Sequence, residues 1–106
     1  MYIGWTTVET REQADTLARG LVDARLAACV QVDGPIRSTY RWEGRVQQGN
    51  EYRLTVKYVA QRQAEIETWL LARHPYDNPE WVVVRADHVS EKYLSWAQAN
   101  STPLPL

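Results

Sequence analysis

The feature that most constrains this chain is the order in which its hydrophobic periodicities change. Tyr2 to Val8 is rich in β-branched and aromatic residues and reads as a strand. Thr10 then has the character of a helix N-cap, with Gln13 completing a capping-box pattern and Glu12 in the first turn. Ala14, Leu17, Ala18, Leu21 and Val22 recur at helical spacing and predict an amphipathic helix over 11–24. Leu26 to Val32 is a second strand signal, interrupted by Gly34-Pro35, where a kink, a bulge or a strand edge is expected. Alternation resumes at Ile36 and runs to Glu43. Gly44 reads as a second bulge or as the hairpin turn, and Gln48-Gly49-Asn50 as the better turn candidate. Tyr52, Leu54, Val56 and Tyr58 alternate with Arg53, Thr55 and Lys57, as in a half-buried strand. A second helix is predicted over 61–73, stopped by Pro75. A last strand follows over 79–86, and its near-continuous apolar run Trp81-Val82-Val83-Val84 suggests burial on both faces. Ser90 would cap a short final helix carrying Tyr93, Leu94 and Ala97.

The order β-α-β-β-α-β is that of the ferredoxin-like split βαβ pattern, here with an extra C-terminal helix. It implies an α+β domain: a four-stranded antiparallel sheet with helices on one face. The domain is expected over 1–100, with an irregular Pro-rich tail over 101–106. The other sheet face, carrying Tyr, Trp and Val, would be bare in a monomer, and a large apolar patch of that kind is usually covered. The two hairpin strands are also too long for so small a sheet. A homo-oligomer built on sheet faces and projecting hairpins is therefore expected. The absence of Phe beside five Trp and six Tyr fits this, since aromatics with a polar tip favour interfaces.

Composition narrows the function. A chain of 106 residues with 44% hydrophobic and 24% charged residues has globular character. A net charge of −1 gives no electrostatic footprint for nucleic acid and no basic surface for an anionic membrane. The one cysteine, Cys29, excludes a disulfide scaffold and a multi-cysteine zinc site within the chain. With no recognisable signal peptide, a lone thiol suits a reducing cytoplasm. Ser-His-Asp, HExxH, P-loop and GxGxxG patterns are absent, and no nucleophile or oxyanion device points to an enzyme.

The most unusual segment is His74-Pro75-Tyr76-Asp77-Asn78-Pro79-Glu80, which sets an imidazole, a phenol and two carboxylates in a loop stiffened by prolines. It reads as a metal or small-ligand site using His74 and Glu80, with Cys29 close in space. Imidazole and thiolate suit copper or zinc. It also reads as a helix-stop loop whose His and Tyr satisfy backbone groups. Cys29 alone is compatible with a small buried hydrophobe. Trp42 and Glu43 would line a cleft at a subunit boundary or serve as interface packing, and Lys57 would pair across the sheet or bind an anionic ligand.

Leu26-Ala27-Ala28-Cys29-Val30, Tyr40-Arg41-Trp42-Glu43-Gly44-Arg45-Val46, Lys57, His74-Pro75-Tyr76 with Pro79-Glu80, and Tyr93-Leu94-Ser95-Trp96 together resemble the CutA divalent-cation tolerance family. They cover nearly the whole chain. The resemblance implies a ferredoxin-like homotrimer, PII-like in architecture, closed by long hairpins. It implies tolerance of divalent metals, copper above all, with no enzymatic activity and no obligatory cofactor. Cys29, His74 and Glu80 are then the expected metal ligands. Trp42, Glu43, Lys57 and Tyr76 are expected near the inter-subunit cleft as ligand-binding residues. Asp77 and Asn78 depart from the usual loop, and the additional cysteines of some bacterial members are missing. The alternative within the same architecture is a PII-like sensor taking a small metabolite in that cleft.

Overall fold

The computed structural model describes residues 1–103. Its elements are β1 (Tyr2–Val8), α1 (Arg11–Asp23), β2 (Cys29–Trp42), β3 (Arg45–Tyr58), a 3-10 turn (Ala60–Arg62) leading into α2 (Gln63–Arg73), β4 (Val82–Arg85) and α3 (Glu91–Ser101). The four strands form one antiparallel sheet in the order β2-β3-β1-β4. Of the expected tail over 101–106, Ser101 closes α3, and Leu104, Pro105 and Leu106 lie outside the described residues.

Helix α1 starts as its sequence dictates. The Thr10 hydroxyl accepts from the Gln13 amide at 3.1 Å, and the Gln13 side chain accepts from the Thr10 amide at 3.2 Å, so two orphan donors of the first turn are satisfied. The helix ends in a Schellman arrangement. The Leu26 amide donates to the Leu21 carbonyl and the Arg25 amide to that of Val22, both at 3.0 Å. Arg25 takes the left-handed position at φ 59°, where glycine is usual.

The sheet is two-sided by the period-2 rule. Val8, Leu54, Val56 and Tyr58 face α1 and α2, and join Leu17, Leu21, Ile66 and Leu70 in the main core. Ile3, Trp5, Thr55, Lys57, Cys29, Val82 and Val84 fall on the opposite face by register. Helix α3 does not join the α1–α2 layer. It rests on a separate small cluster in which Ala97 meets Ala28, Val59 and Met1.

Two expectations are corrected. The hairpin turns at Glu43-Gly44, not at Gln48-Gly49-Asn50. Both turn residues have positive φ (51° and 76°), as in a type I′ turn, and Trp42 pairs directly with Arg45. Gly49 instead lies within the ladder opposite Ser38. The last strand is shorter than 79–86, and within a single copy only one of its faces is buried: Val82 and Val84 are 54% and 45% exposed. β4 is an edge strand with helices on one side only, so Trp81 and Val83 reach the core while Val82 and Val84 do not. At Gly34-Pro35 the bulge is realised. The register shifts between Asp33 and Ile36 and the ladder then continues. Gly34 has φ 152°, and a Cβ there would sit 2.7 Å from the Tyr52 ring, so only glycine fits this step.

Candidate functional site

The geometry around the loop after α2 begins with His74. β4 pairs only with Tyr2 to Trp5, which leaves the outer edge of β1 free from Thr6 onward. His74 fills that edge. Its Nδ1 accepts from the Tyr76 amide at 3.1 Å, which requires the neutral ring, and Nε2 then donates to Thr6 Oγ1 at 2.9 Å. The ring is buried, and burial lowers its pKa below the ordinary value, opposed by a Thr7 backbone bond and by the Glu51 charge. In this chain both ring nitrogens are engaged, so His74 binds a metal only by releasing Thr6 or Tyr76.

Tyr76 stacks at a tilt on His74, with ring centroids 5.0 Å apart, and donates its hydroxyl to Glu51 Oε2 at 2.8 Å. Burial, followed by Glu51, holds the phenol protonated well above its ordinary range. Glu80 lies in the field of Glu51 and Arg53. Its pKa is raised by burial first and then by Glu51, with Arg53 opposing. Arg53 in turn makes a two-pronged pair with Asp33, at 3.0 and 3.2 Å. Glu51 is the residue that the motif reading missed. Its signal lay in the register: a turn at Gly44 sets Glu51 opposite Ile36, beside the end of β1.

Cys29 stands apart from this group. It pairs with Lys57, three residues from Leu54 along β3, and therefore lies on the face opposite to Thr6 and His74. Lys57 lies six positions from Glu51 along β3, about 20 Å at strand rise. Cys29, His74 and Glu80 thus do not converge within one chain, and no group of three His, Cys, Asp or Glu able to hold a metal occurs among the described residues. Cys29 is half-buried beside Tyr93, and the Lys57 ammonium lies 6.0 Å from the Tyr93 ring centroid.

Trp42 and Glu43 are exposed at the hairpin tip, twelve residues from Lys57 along β3, or about 40 Å. Trp42, Glu43, Lys57 and Tyr76 therefore share no cleft in one copy. A groove of about 570 Å³ between Leu26 and α2, lined by Arg62, Trp69 and Arg73, includes none of them.

The state of His74 sets a pH dependence. Its unfolded pKa is near 6.5 and its folded pKa lies lower, so between the two the unfolded chain binds more protons. Its contribution to stability is complete above about pH 6.5 and is lost as pH falls below it. Glu80 acts with the opposite sign, because a raised carboxyl pKa makes the folded form the better proton acceptor. The urea midpoint is expected to fall between pH 7.5 and 5.5 in Glu80→Gln, and to stay flatter over the same range in the double variant that also carries His74→Gln. Parallel profiles would show that His74 is not held neutral.

A family model described as CutA1 divalent ion tolerance protein matches residues 2–100. The chain is 37% identical over 95 residues to the divalent-cation tolerance protein CutA of Thermus thermophilus, covering 90% of this chain and 92% of that one. It is 38% identical over 87 residues to the CutA of Pectobacterium atrosepticum, covering 82% and 79%. Among solved structures, Cut A1 of Thermus thermophilus superposes with a TM-score of 0.91 at 35% identity, over 96% of this chain and all of that one. CutA of Xylella fastidiosa superposes at 0.92 with 34% identity, over 95% and 97%. With the matched region spanning every strand and nearly all of the last helix, the chain belongs to the CutA1 divalent ion tolerance family.

Proposed function

We propose that this chain acts in divalent-cation tolerance as a cytoplasmic homotrimer of ferredoxin-like subunits, without catalysing a reaction. A divalent cation such as copper would be held by groups from neighbouring copies. The names of the relatives support the tolerance role, and the strand order β2-β3-β1-β4 supports the ferredoxin-like reading.

One observation carries the assembly and the site together. The face left open by α1 and α2 bears the exposed Val82 and Val84, with Cys29 toward one end and Glu51, in whose field Glu80 lies, toward the other. Contact that covers the apolar centre also takes the thiol of one copy and the carboxylates of another out of water. A thiolate and two carboxylates make a mixed donor set that a divalent ion accepts, and a cation there relieves the repulsion between the carboxylates. His74 holds the loop that presents Glu80.

Titrating copper(II) into the protein tests this reading. Cys29→Ser and Glu80→Gln are each expected to weaken copper by at least about tenfold, a loss already seen when outer-sphere partners are removed. His74→Gln is expected to lower stability more than affinity. Unchanged affinity in both Cys29→Ser and Glu80→Gln would contradict the shared site.

A further inference from the structure

Helix α3 makes only sparse contact with any one element, and its apolar anchor is the small cluster of Ala97 with Ala28, Val59 and Met1. Its Trp96 is 46% exposed. Its end carries the fully buried Ser101 and is tied across the chain by the polar contacts of one residue. Arg25 Nε donates to the Thr102 carbonyl at 2.6 Å and Nη2 to the Ala99 carbonyl at 2.7 Å. A guanidinium at a helix C-terminus meets both the orphan carbonyls and the negative end of the helix dipole.

Arg25 is itself held. Its backbone is in the left-handed region, which costs an arginine free energy that glycine would not lose. Its carbonyl accepts from Nε of the buried Arg62 at 3.2 Å, and Arg62 pairs with Glu65 at 2.8 Å. The ends of α1 and α3 and the start of α2 thus meet at one arginine. Under the strap lie Cys29 and Lys57, which pair across β2 and β3 and both stand against Tyr93.

We infer that α3 is a releasable strap, latched by Arg25, whose opening uncovers the Cys29–Lys57 end of the open sheet face. The latch is made within one chain. It would give a soft cation or an electrophile access to the thiol without unfolding the main core, because Leu54, Val56 and Tyr58 belong to a different cluster.

The test compares the native protein with Arg25→Gly, which removes the guanidinium while suiting the left-handed backbone, and with Arg25→Lys, which keeps the charge. Cys29 is labelled with a neutral thiol reagent, and amide exchange is followed by mass spectrometry. In Arg25→Gly, labelling is expected to accelerate at least tenfold, together with exchange in α3, while exchange in β1 and β3 and the mass by light scattering stay unchanged. Arg25→Lys is expected to fall between the two. Labelling and α3 exchange at native rates in Arg25→Gly would overturn the inference. So would acceleration accompanied by exchange in β1 and β3 or by a loss of mass, since the thiol would then be exposed by unfolding or by a departing copy.

Discussion

Leu54→Ala is expected to destabilise the chain by about 3–4 kcal/mol, the range for emptying a fully packed leucine site. Leu54 is 0% exposed and sits on β3, which has strands on both sides: Thr6 of β1 and Val32 of β2 are its direct partners. α1 and α2 close over it with Leu17, Leu21, Ile66 and Leu70. A site walled by a sheet below and two helices above collapses poorly around a void. Domains of this size have roughly 5–15 kcal/mol in total, so the loss is a large share. It corresponds to a melting point lower by roughly 15–25 °C. Thermal and urea denaturation at one protein concentration reads it. Val22→Ala, at a position 42% exposed on α1, is the matched control and is expected to change stability by no more than about 0.5 kcal/mol. Equal effects at both positions would mean that the helix-covered face is not the core.

Val84→Asp is expected to lower the mass of the proposed homotrimer toward that of a single copy. Val84 is 45% exposed on the open side of β4 and pairs with Ile3, beside Trp5. In an isolated chain an aspartate there stays in water and costs little. In an interface it must be desolvated without a partner, at several kcal/mol for each copy. A homotrimer carries that cost three times. Sedimentation velocity should therefore show smaller species whose circular dichroism still reports the folded domain. Retention of the native mass would place the interface elsewhere.

The parts of the fold that the sequence displays are those governed by one local rule. Thr10 and Gln13 announce the start of α1, and the alternation Tyr52, Leu54, Val56, Tyr58 announces which side of β3 is buried. The sequence offers the turn at Gly44 only as the second choice, because Glu43 takes a backbone conformation that its type disfavours, whereas Gly49 carries the usual signal in mid-ladder. The apolar run Trp81 to Val84 looked like a strand buried on both sides because periodicity registers hydrophobicity without saying what covers it. Of the site, His74, Tyr76 and Glu80 were visible as a loop. Glu51 was not, because its role follows from the hairpin register. Arg25 was not, because its two acceptors lie more than seventy residues away.

Native mass spectrometry of the unmodified protein, with and without equimolar copper(II), tests the central claim most directly. The claim predicts a trimer that takes up one copper per chain, and Val84→Asp treated alike should lose both the trimer and the copper. A single copy of 12.3 kDa would contradict the claim, and so would a trimer that binds no copper or an irregular ladder of adducts.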